Sequence, residues 1–438
     1  MRNLQDMQVV VLMGGLGTRL KEFTKECPKP LVQVCDKPFF DYSLELLKKA
    51  GFKKYLFLIG YRAEMIEEYY GDGSSQGITI DYCYDGEKLL GTGGAVRRAY
   101  DKLEDDFLLM YGDSFMDIDY EETVYRYFEG KKTGKRAVMT VLRNNNMFDK
   151  SNVVMENGEI VLYDKHNPTP EMNSIDYGVC MYEKSLFDQY ELDVKFDLAE
   201  IQNKLSLDGQ IACHEVTKRF YEIGSPESLK EFTEYVNYRF YEKHKAVFLD
   251  RDGVINEIVY NEDTEQMDSP MNISQFKLLP NVSAAIKKFK ANGFYVFIVT
   301  NQPAAAKGKT TLLKLYDINT SFVNEMKKEN ADIDGVKMCM HYPKKLELTK
   351  DEYLIKECNC RKPKSGMIES IVDKYNIDLN NSYMVGDSFT DVQCGINAGV
   401  KTVFLGDYKC DACKRLCDNN PDVICKNILD AANKICDK

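Results

Sequence analysis

Apolar and polar positions in the first part of the chain alternate between two periods. Val9–Leu12, Tyr55–Ile59, Ile78–Tyr84 and Phe107–Tyr111 are short apolar runs that predict strands, while Phe39–Ala50 and Ala63–Tyr70 repeat apolar residues at helical spacing. Alternation of this kind predicts a doubly wound sheet. Past the predicted helix Ser228–Tyr241 and a basic link, Glu242–Lys245, the rhythm starts again: strand Ala246–Leu249, helix Val282–Asn292, strand Tyr295–Val299 and strand Ser382–Val385. The expected fold is α/β, two doubly wound Rossmann-like domains in tandem, residues 1–242 and 243–438. Length agrees, because 438 residues exceed what one ordinary core accommodates.

Composition narrows the partners. Hydrophobic residues at 44% and charged residues at 29% are ordinary for a globular chain. A formal charge of −11 argues against a nucleic-acid partner, which needs a basic face. Small anions remain open as substrates, since a few local cations suffice for them. No run approaches the roughly 18 apolar residues of a membrane helix, and Met1 to Met13 lacks a signal-peptide core. A cytoplasmic protein without membrane partners is expected. Its 14 cysteines are then reduced thiols or metal ligands. Self-association into a homo-oligomer is left open.

Candidate chemistry falls at the predicted strand ends, where open α/β sheets bind ligands. After Val9–Leu12 comes Met13-Gly14-Gly15-Leu16-Gly17-Thr18-Arg19-Leu20. Glycines at this spacing let backbone N–H groups wrap a phosphate chain, and Arg19 adds a fork of donors. Pro28 and Pro30 frame Lys29 rigidly, which suits a nucleoside triphosphate; the alternative is an exposed turn lysine. Gly91, Gly93 and Gly94 open a predicted helix, Val96–Leu103, and leave backbone against which a base or a sugar can press. Strand Phe107–Tyr111 delivers Asp113, a magnesium ligand if it faces the triphosphate loop and otherwise a cap.

In the second half, Ala246–Leu249 runs into Asp250-Arg251-Asp252-Gly253. One carboxylate can attack phosphorus while the other handles the proton, and both can hold magnesium. An N-cap or turn pair is the alternative for such acids taken alone. Strand Tyr295–Val299 ends in Thr300-Asn301-Gln302, whose hydroxyl and amide can grip a phosphoryl oxygen. Arg361 and Lys362 add cations, and Ser382–Val385 leads into Asp387 with Asp391 following. Cys339-Met340-His341 and Cys358-Asn359-Cys360 supply three thiolates and an imidazole, a tetrahedral set for zinc, against the alternative of buried free cysteines. With four protein ligands such a zinc is structural. Cys410, Cys413 and Cys417 are read as binding no metal.

On these motifs, residues 8 to about 235 resemble the sugar-phosphate nucleotidyltransferases, which join a sugar 1-phosphate to a nucleoside triphosphate. The resemblance implies that Gly14, Gly15, Gly17, Thr18 and Gly93 bind substrate, that Arg19 and Lys29 polarise the triphosphate, and that Asp113 and Glu222 hold magnesium. It further implies that Lys165 binds the sugar phosphate and that Asp176 and Gly178, in the predicted strand Ile175–Tyr182, line the sugar pocket. Met13 and Glu222 depart from the family's usual alanine and aspartate. Residues from about 245 to 438 resemble the haloacid dehalogenase superfamily, in its histidinol-phosphate and heptose-bisphosphate phosphatase branch. That resemblance implies Asp250 as nucleophile and Asp252 as general acid and base, with Thr300, Asn301, Arg361 and Lys362 on the phosphoryl group. Asp250, Asp252 and Asp387 would share magnesium, and Asp391 would orient Lys362. The loop Pro303–Gly308 departs from that branch's Ser-Gly-x-Ala-Arg-Gly pattern. Together the halves imply a bifunctional enzyme that dephosphorylates D-glycero-D-manno-heptose 1,7-bisphosphate and couples the 1-phosphate to GTP. The same two chemistries on another sugar or base, or a regulatory protein with a dead transferase domain, are the alternatives.

Overall fold

The computed structural model describes residues 3–15, 20–86, 88, 90–261, 265–406 and 420–437. The chain divides into two compact units, Met1–Val236 and Asn237–Lys438. No helix among the described residues is long and apolar enough to cross a membrane.

The first unit is built on nine strands: β1 Gln8–Met13, β2 Lys54–Ile59, β3 Thr79–Tyr84, β4 Asp106–Tyr111, β5 Ala137–Arg143, β6 Val153–Glu156, β7 Glu159–Tyr163, β8 Ser174–Glu183 and β9 Ile211–Val216. The order is β7-β6-β8-β4-β1-β2-β3, with β5 on β8 and β9 on β5. Strands β1 to β4 are mutually parallel, as their alternation with helices requires. Strand β8 runs antiparallel to both β4 and β5, so the sheet is mixed. Val9, Val10 and Val11 of β1 are all fully buried, which is why this central strand reads as a continuous apolar run. Helix α1, Phe39–Ala50, spans its predicted bounds and stops at Gly51, whose φ of +110° an ordinary side chain resists. Helix α2, Ala63–Tyr70, also spans its predicted bounds. Helix α3 differs: it covers Gly91–Arg98, so the glycines expected to precede the helix form its first turn. Helices α4 Tyr120–Lys131, α5 Leu198–Leu207 and α6 Pro226–Val236 also belong to the unit, as does a single helical turn at Lys21–Thr24.

The main sheet of the second unit has six strands, all parallel: β10 Lys245–Leu249, β11 Phe294–Asn301, β12 Gly335–Cys339, β13 Tyr383–Gly386, β14 Lys401–Leu405 and β15 Val423–Cys425. Their order is β12-β11-β10-β13-β14-β15. Along β10, Val247 and Leu249 join one buried apolar cluster and Ala246 and Phe248 another. Apolar packing on both faces is what a doubly wound sheet demands. Helices α7 Val282–Ala291, α8 Leu312–Lys328, α9 Gly366–Tyr375, α10 Phe389–Ala398 and α11 Ile428–Cys436 supply it.

Candidate active sites

In the first unit, Lys29 opens a short 3₁₀ turn, Lys29–Leu31, directly after Pro28. Its Nζ lies 2.7 Å from Asp113 Oδ2, and the lysine side chain is only 12% exposed. Asp113 follows the end of β4. Beyond it Ser114–Phe115 pairs with Tyr221–Glu222, which sets Glu222 opposite Ser114, and Ile223 N–H donates to Asp113 O at 3.1 Å. The fold thus brings Lys29, Asp113 and Glu222 to one edge. Gly14 also belongs here: a Cβ on it would stand 2.1 Å from Asp85 Oδ2, so only glycine admits that buried carboxylate. Gly15 has open space, whereas Gly17, Thr18 and Arg19 lie outside the described residues.

The sugar-side residues gather on β8 and α5. Gly178 N–H donates to Asp176 Oδ1 at 2.9 Å, and Gln202 Nε2 donates to Asp176 Oδ2 at 3.1 Å. Burial raises the Asp176 carboxyl to about 6, against the pull of those two donors. Lys165 Nζ lies 3.3 Å from Asp197 Oδ2, and Asp197 caps α5. Gly93 is a correction. The space it leaves is filled by the Phe196 ring, 2.2 Å from where its Cβ would stand, and its N–H donates to Phe196 O. That glycine permits close packing of the chain on itself and offers no open face to a base.

In the second unit, β10 pairs Leu249 with Val385 of β13, so Asp250 and Asp387 emerge side by side. Gly253 has a φ of +83°, and a Cβ there would strike Asp387 Oδ2 at 2.2 Å. The turn after the two acids therefore requires glycine twice over. Lys362 Nζ lies 2.7 Å from Asp250 Oδ1 and 2.6 Å from Asp391 Oδ1, and donates to Val299 O at 2.9 Å. Burial opposes the charge on Lys362, but Asp250 and Asp391 outweigh it and hold its pKa above the ordinary lysine value. Burial and Asp391 push Asp250 upward while Lys362 opposes them. Asp252 is drawn the other way: burial raises it, but Arg251 and hydrogen bonds that include Asn256 and Gln302 prevail and lower it.

The assignments of Asn301 to phosphate and of Asp252 to the metal change. Asn301 accepts from Lys362 N–H at 3.0 Å and donates to Lys362 O at 3.1 Å, so its amide is spent on fixing the lysine's backbone and does not reach for phosphate. Thr300 is buried, its hydroxyl oxygen accepting from Gln302 Nε2 at 2.9 Å. The acids whose oxygens converge within 4.8 Å are Asp250, Asp387 and Asp391. Asp252 is outside that group because Arg251, Asn256 and Gln302 occupy its carboxylate. Hard oxygen donors of this kind suit magnesium; Lys362 holds both Asp250 and Asp391, and Ser388 binds Asp391 as well.

Beside this edge, Asn301 pairs with Cys339 across β11 and β12. Cys339, His341, Cys358 and Cys360 present four ligand atoms within 4.8 Å of one another. The sulfur–sulfur distances are 3.3, 3.3 and 3.7 Å, and His341 Nδ1 is 3.3 Å from Cys360 Sγ. A tetrahedral site with metal–sulfur bonds of about 2.3 Å sets its sulfurs roughly 3.8 Å apart, so the donor set fits a metal of that kind. Cys410, Cys413 and Cys417 lie outside the described residues.

Sequence reasoning passed over Asp85, Gln202 and Asn319. Asp85 had a signal, since it stands directly after β3 at the same edge as Gly14. Gln202 and Asn319 lie inside helices and gain meaning only from what the fold sets against them.

Acids and a lysine gathered at the edge of each sheet define an α/β enzyme that works on phosphate esters. Residues 8–235 match the nucleotidyl transferase family, and residues 359–431 match the HAD-hydrolase-like family. The chain is 31% identical over 229 residues to the D-glycero-alpha-D-manno-heptose 1-phosphate guanylyltransferase of Campylobacter jejuni, covering 52% of this chain and 98% of that protein. Over 165 residues it is 34% identical to the D-glycero-alpha-D-manno-heptose-1,7-bisphosphate 7-phosphatase of Photorhabdus laumondii, covering 37% of this chain and 82% of that one. A D-glycero-beta-D-manno-heptose-1,7-bisphosphate 7-phosphatase of Rhodopseudomonas palustris is 34% identical over 158 residues, 36% of this chain and 81% of that one. The chain belongs to the nucleotidyl transferase family through its first unit and to the haloacid dehalogenase-like phosphatases through its second.

Proposed function

We propose that this chain performs two steps of nucleotide-activated heptose synthesis. Its phosphatase domain, residues 243–438, removes the 7-phosphate of D-glycero-D-manno-heptose 1,7-bisphosphate. Its transferase domain, residues 1–242, couples the resulting 1-phosphate to GTP, releasing pyrophosphate and GDP-heptose. One observation carries this reading: two halves of one chain are similar to a guanylyltransferase and to a phosphatase that are named for the same heptose. Phosphatase relatives of both anomers are similar to it, and the alpha anomer is assigned through the transferase half.

In the phosphatase reaction Asp250 attacks phosphorus and the bond to the sugar oxygen breaks. Asp252 gives that oxygen its proton, then takes one from the water that cleaves the aspartyl phosphate and regenerates Asp250. Lys362 neutralises the phosphoryl oxygens and Thr300 and Arg361 help bind them, while Asn301 holds Lys362 in place. Magnesium, held by Asp250 and Asp387, would supply further charge neutralisation when bound. In the transferase reaction an oxygen of the sugar phosphate attacks the α-phosphorus of GTP and pyrophosphate leaves, so no side-chain nucleophile is needed. Lys29 and Arg19 neutralise the triphosphate, Asp113 and Glu222 would hold magnesium there, and Lys165, Asp176 and Gly178 seat the sugar phosphate. Zinc is assigned to the Cys₃His set in a structural role, pinning the segment that leads to Arg361 and Lys362. The enzyme is placed in the cytoplasm, where thiolate ligands persist.

The test is to incubate the chain with heptose 1,7-bisphosphate and to follow phosphate release, then to add GTP, ATP, CTP or UTP and follow pyrophosphate. Phosphate released first, then pyrophosphate with GTP alone, is the expected result. Pyrophosphate release with a different nucleotide, or none with any, would refute the assignment. Asp250→Asn should lose phosphate release by orders of magnitude.

A further inference from the structure

Asp252 is gripped harder than a turn aspartate requires. Arg251 donates from Nε and Nη2 to Asp252 Oδ1 at 3.2 and 3.1 Å, and Asn256 Nδ2 adds a third donor to the same oxygen at 2.9 Å. Gln302 Nε2 donates to Oδ2 at 2.5 Å. The guanidinium is itself tethered, its Nη1 donating to Asn319 Oδ1 on α8 at 3.0 Å. Arg251 is 0% exposed and Asn319 is 8% exposed.

Burying a guanidinium is a poor route to stability, because desolvation consumes most of the Coulombic gain and an apolar residue of similar volume does as well or better. An arginine between the two acids of a catalytic motif therefore calls for a functional reason. A carboxylate oxygen has about two lone-pair sites, and Oδ1 already receives three donors. The proton that Asp252 carries has to reside on Oδ2. For that oxygen to meet the leaving group, rotation of the carboxylate must be suppressed, and a two-pronged donor on Oδ1, anchored to a helix, suppresses it.

We propose that Arg251, tethered by Asn319, is a positioning residue that locks Asp252 with Oδ2 directed to the leaving-group oxygen. This rests on the phosphatase reading above. The Arg251 side chain donates to Asp252 and Asn319, while its backbone N–H donates to Asp250 Oδ1 at 2.7 Å, a bond that side-chain substitution leaves in place, so the side chain's effect appears only where Asp252 has to move a proton.

The experiment compares an alkyl phosphate, the sugar bisphosphate, with an activated aryl phosphate whose leaving group departs without a proton. Phosphate release is measured on the first and single-turnover aryloxide release on the second. Arg251→Met should lower the alkyl reaction by roughly 10- to 100-fold, short of the ~10²–10⁴ of a whole general acid, while aryloxide release falls by less than about threefold. Arg251→Lys should recover part of the loss, and Asn319→Leu should show the same split with a smaller size. Equal losses on both substrates, or no loss on either, would overturn the proposal. If Arg251→Met does not fold, Asn319→Leu decides by the same criterion. Asp250→Asn serves as the separate control: if it still released aryloxide at the wild-type rate, the phosphatase reading itself would be wrong, whatever Arg251 did.

Discussion

Lys362→Met tests the charge arrangement of the phosphatase edge most directly. The lysine Nζ stands 2.7 Å from Asp250 Oδ1 and 2.6 Å from Asp391 Oδ1, with its side chain 2% exposed and that of Asp391 1% exposed. At such separations and an effective dielectric of about 20, each pair is worth roughly 6 kcal/mol of attraction before desolvation is subtracted. Methionine keeps the length and removes the charge, leaving Asp250, Asp387 and Asp391 converging on one another without their cation. Breaking a buried pair from one side costs about 3–5 kcal/mol, and that is the expected destabilisation of this unit at pH 8. The pH dependence has a definite sign. A buried aspartate without its lysine has a folded pKa above its unfolded value, so stability is lost as pH rises through that interval and regained on acidification. The deficit should therefore shrink toward pH 5. Asp391→Asn added to Lys362→Met removes the excess charge while leaving an acceptor for Ser388, which binds Asp391 through both N–H and hydroxyl. The double variant should recover most of the stability and none of the phosphatase activity. Guanidinium titration, with transferase activity reporting separately on the first unit, reads both numbers. A loss below about 1 kcal/mol, or a double variant no more stable than the single one, would refute the reasoning.

Three further outcomes are expected. Lys29→Ala removes the cation paired with Asp113 and should slow pyrophosphate release by a factor corresponding to several kcal/mol while phosphate release is unchanged; both falling together would show that the two sites are not independent. Cys358→Ser should release metal from the Cys₃His set and weaken phosphatase activity alone, checked by elemental analysis, and an unmodified protein purified without metal would sink the zinc assignment. Asp176→Asn should stabilise the first unit above pH 6, because burial raises the carboxyl from 3.8 to about 6 and charging it costs the fold up to roughly 3 kcal/mol. That gain is absent below pH 4, where both states are protonated, and an equal gain at pH 4 and pH 8 by thermal unfolding would contradict it.

What the sequence disclosed, and what it withheld, divides along contact range. Helices α1 and α2 were legible to the residue because their periodicity and the glycines that stop them, Gly51 and Gly71, are local. The acids at Asp250, Asp252 and Asp387 were legible because a short apolar run fixes where a strand ends. Strand direction was not: nothing in the pattern of β8 says that it runs antiparallel to β4, and the first sheet is mixed for that reason. The helix at Gly91–Arg98 was placed too late because its glycines answer to Phe196, about a hundred residues downstream. Asn301 looked like a phosphate ligand from its strand end, and only the return of the chain sixty-one residues later shows its amide closed on Lys362. Local patterns specify which residues reach an edge, and tertiary partners decide what those residues are free to do there.

The two units share a way of holding a cation ready. Lys29 is mostly buried against Asp113, and Lys362 is buried against Asp250 and Asp391. A lysine withdrawn from water without a counter-charge would lose its proton, so a site that is to offer a buried ammonium group to phosphate has to pair it with carboxylates beforehand. Of these carboxylates, Asp113 and Asp250 are the ones proposed to meet the metal or the phosphorus once substrate arrives. With phosphate and magnesium bound, phosphate oxygens would take over the lysine, and Asp113 in one site and Asp250 in the other would hold the ion, so the local charge balance would be kept. On this argument the ion pairs are the substrate-free form of each site, and the cost of parting them is met by the incoming opposite charges. Supplied alone, phosphate would face carboxylates and magnesium would face a lysine, so each should bind weakly until the other is present.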